Sequence, residues 1–350
     1  MKLPSFDFSN IPIVDMHVHG PLGGNSPGGL FGLTHDWYEY FVNGLLPEDV
    51  RDEKIRADLL AAVIRSHETR PTWVAVRHYE EKYYGGKKSS GALTSDELEQ
   101  RVIKAVNKAG VTRFAEKVFQ RENIEWVLVD HSSLTYDPKP MMEDFPEAKK
   151  KWTHPIVQLL QPEWALGKSL ETVSSIISEI KKDLQTAMKN NAVGFKSTQA
   201  YFRDFDLSDV NEDEAQKALG LLMRSKPERY EDFKGLKIPI YASLEETLAL
   251  KTYQDFLLKN IFAEAGRLNA IVLIHVAVWV TPTLKPKYND PNKLYSIFDN
   301  DSVRRANTKF VLLHTGYPEN HKISSIITQY PNVYVDLSCP ALLEESILGE

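Results

Sequence analysis

The sequence predicts an α/β fold of the (β/α)₈ TIM-barrel type, and three observations support that prediction. Short apolar runs of strand length recur along the chain, and segments with helical spacing of apolar residues separate them. The runs are almost continuously apolar, which is typical of parallel strands buried on both faces. The length of 350 residues is within the range of one large barrel, so we expect residues 1–350 to form a single barrel.

The predicted strands and helices alternate along most of the chain. A helix is predicted over residues 170–187 and another over 244–265, where apolar residues recur at helical spacing. A barrel of this type needs an eighth strand, because an open seam leaves unpaired strand edges. We expect that strand beyond residue 350. The seven predicted strands are residues 13–17, 124–130, 156–160, 192–196, 271–275, 310–314 and 333–337.

A large helical insertion, over about residues 35–122, is predicted after the first strand. Thr94 and Glu97 have the spacing of a capping box, and Gly110 is placed to end the helix that follows them. The insertion is much longer than one crossover helix, so we expect it to cover one face of the barrel.

Composition narrows the classes of function. Apolar residues make up 42% and charged residues 26%, as in soluble globular proteins. The net charge of −6 favours neither nucleic acid nor an anionic membrane as a partner, so we expect a small-molecule substrate and leave a homo-oligomer open. Cys339 is the single cysteine, and the first residues form no apolar signal segment. A cytoplasmic protein without an internal disulfide is the resulting expectation.

Polar residues fall at the carboxyl ends of the predicted strands. His17 and His19 close the first strand, while Lys196, His275 and His314 each end a later one. In a barrel of parallel strands these ends meet on one face, where catalytic groups are found. Side chains alternate along a strand, so the two histidines of the first strand are expected on the same side. Taken singly, each histidine could equally be a hydrogen-bonded residue at a strand end.

The chemistry of these residue types favours a metal site. Imidazole nitrogens suit Zn, Fe, Ni or Mn, and a site with an open position lowers the pKa of bound water to about 7. Lys196 has three interpretations. A buried lysine with a lowered pKa can form a Schiff base, or it can react with CO₂ to give an anionic carbamate ligand. It can also form a salt bridge or a hydrogen bond to the substrate.

This order of residues resembles the amidohydrolase superfamily of metal-dependent TIM barrels. The segments IVDMHVHG, AVGFKSTQAY, YQDFLLKNIFAEAGRL, FVLLHTGYP and YPNVYVDLS resemble more closely the amidohydrolase-2 group. That group includes bacterial predicted hydrolases related to the N-terminal part of fungal fluG-type proteins. The resemblance covers the first strand and most of the chain from about Glu122 onward.

The resemblance implies roles for five residues around one or two divalent transition metal ions, with zinc as the expected metal. His17, His19 and His275 are implied as ligands, and His314 as a ligand to a second ion or as the residue that positions the hydrolytic water. Lys196 matches the carboxylated lysine that bridges two ions. The implied substrate contact is Tyr201, whereas AYFRDF departs from the AYR pattern of relatives, so no role passes to Arg203.

The resemblance also implies an aspartate after strand eight, which binds metal and acts as general base. Asp336 lies within the seventh predicted strand and does not match that motif, so we expect the aspartate beyond residue 350. The implied function is hydrolysis of a C–N, amide-type bond in a small polar substrate by metal-activated water. Two alternatives stay open: a metal-dependent, non-oxidative decarboxylase of an aromatic acid, and a catalytically inactive barrel used for binding.

Overall fold

The computed structural model describes residues 13–19, 52–55, 57–58, 81–85, 95–130, 149–233, 236–278 and 285–337. The strands in these ranges are β1 Ile13–His19, β2 Ile124–Asp130, β3 Lys149–Pro155, β4 Ala192–Ser197, β5 Arg229–Phe233, β6 Leu236–Ile240, β7 Ile271–His275, β8 Lys309–Leu313 and β9 Val333–Val335.

Seven of the described strands form one sheet in the order β1-β2-β3-β4-β7-β8-β9, and every neighbouring pair in it is parallel. The predicted parallel α/β sheet is therefore confirmed. The strands follow chain order, except that the antiparallel hairpin of β5 and β6 intervenes between β4 and β7. That hairpin was not predicted. Closure of the sheet into a barrel and the position of an eighth strand stay predictions.

Helices connect the strands. The segments predicted at 170–187 and 244–265 form α4 and α6, and the second begins at a capping box between Ser243 and Glu246. None of the described helices combines the length and the apolar composition needed to cross a bilayer. The described helices are α1 Ser95–Ala109, α2 Val111–Arg121, α3 Pro162–Gly167, α4 Val173–Lys189, α5 Glu212–Arg224, α6 Leu244–Arg267, α7 Tyr295–Phe298, α8 Asp301–Arg305 and α9 Asn320–Gln329.

Within the predicted insertion, the described residues are mainly helical. They include residues 53–55, 57–58 and 81–84, besides α1 and α2. Gly110 separates those two helices with a φ of 79°, as its predicted position at a helix end requires. Thr94 lies outside the described residues, as do most of the other positions between 35 and 94.

The predicted strand at residues 156–160 is wrong. Val157–Leu160 is a short 3₁₀ helix, and the strand is the preceding segment KKKWTHP. Pro155 has no N–H to donate, and after one further bond from Ile156 N to Lys196 O (3.0 Å) the chain leaves the sheet. Leu159 and Leu160 are apolar because they pack into the core under the helices.

The two faces of the sheet differ in what they pack against. One face contacts the main core, in which strand residues meet residues of α4, α5 and α6; its strand members include Phe195, Val272, Ile274, Phe310 and Leu312. On β7 and β8 the alternate residues form a second, smaller cluster of Ile271, Leu273, Val311 and Leu313. We call the first the outer face and the second the inner face.

Candidate metal-binding site

Lys196 and His275 both belong to the inner face. Phe195 packs in the outer core, so the side chain that follows it on β4 is on the opposite side. Lys196 pairs with Leu273, an inner-face residue, and His275 lies two residues further along the same strand. Both side chains are almost completely buried. The parallel register therefore places an amine and an imidazole at neighbouring strand ends on one face.

Gly194 allows β4 and β7 to approach closely below these two residues. A Cβ atom at this position would lie 2.2 Å from the backbone oxygen of Ile271 and 2.5 Å from its Cγ1 atom. Glycine is used where two backbones come this close. Any larger residue would force the strands apart and would disturb the register that sets Lys196 beside Leu273.

His314 lies in the same region, but a turn rather than strand alternation directs its side chain there. It follows Leu313, an inner-face residue, so strand alternation would direct its side chain to the outer face. Instead, the strand ends at Leu313, and His314 adopts a left-handed conformation with a φ of 65°. Its ring lies 4.8 Å, centroid to centroid, from that of His275, with an angle of 68° between the planes. The turn, rather than the strand, brings the two rings together.

The turn contains three consecutive residues with positive φ. Thr315 has a φ of 50° and Gly316 a φ of 70°. A Cβ at Gly316 would lie 2.4 Å from Cγ1 of Ile323, so this position requires glycine both for its conformation and for space. Residues other than glycine adopt left-handed backbone at a cost in free energy, and such residues cluster at functional sites.

Asp336 forms two hydrogen bonds to this turn and one to the strand that precedes it. Its Oδ1 accepts a hydrogen bond from the backbone N–H of His314 at 2.7 Å. Its backbone oxygen accepts from the Thr315 hydroxyl at 2.6 Å, and its backbone N–H donates to Leu312 O at 3.1 Å. Asp336 directly follows β9 and is 8% exposed. The sequence placed Asp336 within the last predicted strand, whereas the structure ends that strand at Val335, and the bond to a residue 22 positions earlier was not predicted.

Nε2 of the His275 ring lies 3.3 Å from the backbone oxygen of Ala277. A carbonyl oxygen only accepts, so this contact is a hydrogen bond in the tautomer that carries its hydrogen on Nε2. In the neutral ring Nδ1 is then the acceptor. Histidines that bind metal typically donate their other N–H to a carbonyl or carboxylate in this way, which fixes the orientation of the ring.

Tyr201 packs against His275 from the loop that follows β4. The centroids of the two rings are 4.8 Å apart, and the tyrosine is partly exposed. Asn289, which sequence reasoning missed, connects the loop that carries Tyr201 to the loop that follows His275. Its Nδ2 donates to Ala200 O at 3.3 Å, and its Oδ1 accepts from the backbone N–H of Ala277 at 3.2 Å. No local sequence pattern indicated these contacts, because Ala200 is 89 positions away.

The described side chains fit one part of a metal site. Two imidazoles bound to one ion through bonds of about 2.0–2.1 Å have ring centroids about 5 Å apart, close to the 4.8 Å between His275 and His314. Among the described residues, no group of three or more His, Cys, Asp or Glu side chains is placed to hold a metal ion. The predicted further ligands are His17 and His19, whose side chains lie outside the described residues.

The backbone of β1 is described, and its pairing shows which strand ends are neighbours at this edge of the sheet. His19 pairs with Asp130 of β2, which pairs in turn with Thr153 of β3. The register of β1 shifts between Asp15 and Val18, so His17 lies in an irregular part of the strand. All the strands that contribute predicted site residues thus end at the same edge, with β2 and β3 between β1 and β4.

Arg203 takes no part in this group. Its Nη2 lies 2.5 Å from Oδ1 of Asp255 on α6, a carboxylate that also contacts Nζ of Lys251 at 2.6 Å. We call these three residues the Asp255 cluster. The second carboxylate oxygen accepts from the backbone N–H of Ser208 at 3.1 Å. The cluster attaches the loop after β4 to α6.

Comparison with known proteins identifies relatives by fold. No protein-family model matches the chain, and no curated protein matches it. A provisionally named metal-dependent hydrolase from Lactobacillus casei ATCC 334 has a similar structure, with a TM-score of 0.65 at 18% identity over 97% of this chain and 76% of that chain. Uronate isomerase from Thermotoga maritima has a TM-score of 0.61 at 15% identity, over 96% of this chain and 78% of that one.

A third similar structure is glucuronate isomerase from Caulobacter crescentus, with a TM-score of 0.54 at 13% identity over 93% of this chain and 73% of that one. By name, one of these three structures is a metal-dependent hydrolase and two are isomerases. At such low identity the likeness concerns the fold alone. The narrower resemblance to the amidohydrolase-2 group stays a prediction.

Proposed function

We propose that this protein is a metal-dependent hydrolase that cleaves a C–N, amide-type bond in a small polar substrate. The observation that supports this most directly is the close contact of the His275 and His314 rings, both buried, at the carboxyl ends of parallel strands. Lys196 lies on the inner face beside them. Active sites in folds of this kind occur at these strand ends.

The residues that would hold the metal, which we propose to be zinc, are His275 through Nδ1, His314, and the predicted β1 ligands His17 and His19. A bound divalent ion supplies Lewis acidity, which polarises a carbonyl group and activates water at neutral pH. Donation from Nε2 of His275 to Ala277 O keeps its Nδ1 as an acceptor. Because both rings are buried, bulk water is excluded from the side on which they meet.

His314 and Tyr201 take the remaining roles in this proposal. The left-handed turn holds the His314 ring against that of His275, where it can orient a water molecule by hydrogen bonding. Tyr201 is packed on His275 yet partly exposed, so it can contact both the site and an entering substrate. That combination suits a substrate-binding residue.

An isomerase of sugar acids is a second candidate, because two of the similar structures are described as uronate and glucuronate isomerases. Non-oxidative decarboxylation of an aromatic acid is a third chemistry that the same predicted ligands could support. The three reactions have different products: an amine or ammonia, a ketose acid, or CO₂. A catalytically inactive binding protein would form none of them.

The test combines metal analysis with product analysis of the full chain. Elemental analysis of the purified protein is expected to find stoichiometric transition metal, and a panel of amides, uronates and aromatic acids is expected to show amine or ammonia release. Formation of a ketose acid or CO₂ without amine release would favour the corresponding alternative. Absence of stoichiometric metal, with no change in stability or ligand binding in a His17→Ala, His19→Ala double variant, would contradict all the enzyme proposals.

Carboxylation of Lys196 is the part of the proposal that distinguishes two metal ions from one. If its carbamate bridges two ions, Lys196→Ala loses activity, and short carboxylic acids such as acetate or propionate restore part of it by supplying the missing carboxylate. Lys168→Ala, at a lysine that pairs with Glu179 on the surface, is the matched control and is expected to keep full activity. Failure of rescue together with one metal per chain would argue for the one-metal form.

A further inference from the structure

The position of the His314 ring depends on a backbone conformation that the strand does not itself produce. Continuation of β8 would place this side chain on the outer face, among the residues that pack against the helices. A φ of 65° at His314 and of 50° at Thr315 turns the chain instead. Left-handed backbone is unfavourable for both residue types, so contacts elsewhere in the structure must offset its cost.

Asp336 forms hydrogen bonds that can offset the cost of this left-handed backbone. Its carboxylate accepts from the N–H of His314, the residue with the first left-handed backbone, and charge-assisted bonds of this type are stronger than neutral ones. Its backbone oxygen accepts from Thr315 Oγ1, the next residue of the turn. Its own N–H donates to Leu312, the residue two positions before the turn. Asp336, directly after β9, therefore contacts both the last part of β8 and the turn that follows it.

The burial of the Asp336 carboxylate indicates that it has a specific structural role. Asp336 is 8% exposed, and removing a carboxylate from water is costly unless hydrogen bonds compensate. We infer that Asp336 is the positioning residue of His314: it stabilises the left-handed turn and thereby directs the imidazole toward His275. It acts through the main chain of His314, so it is a positioning residue rather than a catalytic one.

The chain offers a matched control on the same pair of strands. Asn332 precedes β9 and donates from Nδ2 to Thr308 O, just before β8 begins. This bond also joins a side chain to a backbone group across the two strands, but at the opposite edge of the sheet. Its loss is expected to lower stability without changing the turn that contains His314.

The experiment compares full-chain Asp336→Ala, Asp336→Asn and Asn332→Ala with the wild type in two measurements. One is Zn²⁺ affinity by competition with a chromophoric chelator. The other is hydrogen exchange of the His314 amide in metal-free protein. Asp336→Ala is expected to weaken Zn²⁺ binding by about 10- to 100-fold, the usual effect of losing a residue that orients a ligand, and to speed exchange at His314. Asp336→Asn retains an oxygen acceptor but loses the charge, so it is expected to fall between the wild type and Asp336→Ala in both measurements.

Three results would overturn the inference: unchanged affinity and exchange in Asp336→Ala, equal damage from Asp336→Asn, or an equal loss of affinity in Asn332→Ala. If Asp336→Ala does not fold, Thr315→Val removes one of the contacts and is expected to show smaller changes of the same sign; unchanged values there also overturn it. The zinc measurement rests on the proposed function, whereas amide exchange does not. A wild type without zinc affinity would therefore refute the proposed function and leave exchange to decide the role of Asp336.

Discussion

The Asp255 cluster and the pair of rings at His275 and His314 both contain buried polar side chains, but the groups that meet in them differ: Asp255, His275 and His314 are buried, whereas Lys251 is 30% exposed. Asp255 lies between a guanidinium and an ammonium group, so opposite charges meet at 2.5 and 2.6 Å. At the strand ends, two imidazoles meet instead, with the amine of Lys196 on the same face. The first arrangement is complete within the chain, because each charge faces its opposite.

The difference indicates what each group does. Opposite charges in contact attach one segment to another, as Arg203 attaches its loop to α6. Two imidazole rings in contact bring ring nitrogens together, and these are the ligand type that suits a transition metal such as the proposed zinc. We therefore expect changes in the Asp255 cluster to affect mainly stability, and changes at His275 or His314 to affect mainly metal binding.

The largest effect on stability is expected from Asp255→Ala. Removing this buried carboxylate leaves the charges of Arg203 and Lys251 without their shared partner. The cost is about 3–5 kcal/mol in fully buried pairs and is expected near the lower end of that range here, because the Lys251 side chain is 30% exposed. Urea unfolding should show that loss, whereas Zn²⁺ affinity of the folded protein should be unchanged. The control is Asp209→Ala, because Asp209 is 82% exposed and pairs with Lys259 at the surface; less than about 1 kcal/mol is expected there. Equal losses in the two variants would contradict the comparison.

His275→Ala should give the opposite result. Loss of a ligand is expected to weaken Zn²⁺ binding by roughly 100-fold or more, above the usual effect of losing an orienting residue. The free energy of unfolding of the metal-free protein should change less than in Asp255→Ala. Elemental analysis and unfolding of both variants measure this. His321→Ala, at an exposed histidine of α9, is the matched control and should retain metal. Stoichiometric metal in His275→Ala would show that this ring is not a ligand.

Asn289 should have an intermediate effect, because it supports the site without belonging to it. Asn289→Ala leaves Ala200 O and the N–H of Ala277 without their partner, and an unsatisfied buried group costs about 1–3 kcal/mol. Substrate binding should weaken as well, since these bonds hold the loops of Tyr201 and His275. Urea unfolding and KM are the measurements. Asn292→Ala, at an exposed position nearby, should change the free energy of unfolding by no more than about 0.5 kcal/mol.

The smallest effect is expected from Tyr241→Phe, and only in alkali. Burial raises the pKa of Tyr241 to about 12, and the carboxylate of Glu163 contributes. The unfolded chain loses this proton near its ordinary pKa of 10.0 while the folded chain keeps it, so this contribution is complete below pH 10 and is lost as the pH rises toward 12. Tyr241→Phe should therefore lose less stability than the wild type between pH 10 and 12. Tyr334→Phe, at an exposed tyrosine, should follow the wild type, and zinc affinity near pH 7 should not change in either variant.

Prediction from the sequence succeeded where one local pattern determined the structure. The apolar runs before Lys196 and His275 formed strands, as predicted, and both residues lie near the carboxyl ends of those strands. It failed for β3, whose segment KKKWTHP has no apolar pattern, because its strand identity comes from pairing with β2 and β4. The apolar run that follows β3 forms a 3₁₀ helix, and its leucines pack in the main core.

For His314 the prediction and the structure agree on the place but not on the reason. The sequence marked it as a residue at a strand end, whereas alternation from Leu313 would have directed it away from His275. The left-handed turn and its contacts with Asp336 decide where the ring lies. Those contacts join residues 22 positions apart, and no local periodicity in the sequence indicates them.

Local sequence was thus sufficient for the parallel α/β class and for the strands that lead to Lys196, His275 and His314, because the pattern of buried apolar side chains is visible in the sequence. Which of those residues meet depended on tertiary structure: the register that pairs Lys196 with Leu273, the turn at His314, and the bonds from Asn289 to two loops. Hydrogen bonds between distant segments form only once the sheet and helices have packed, so their partners are a property of the folded chain.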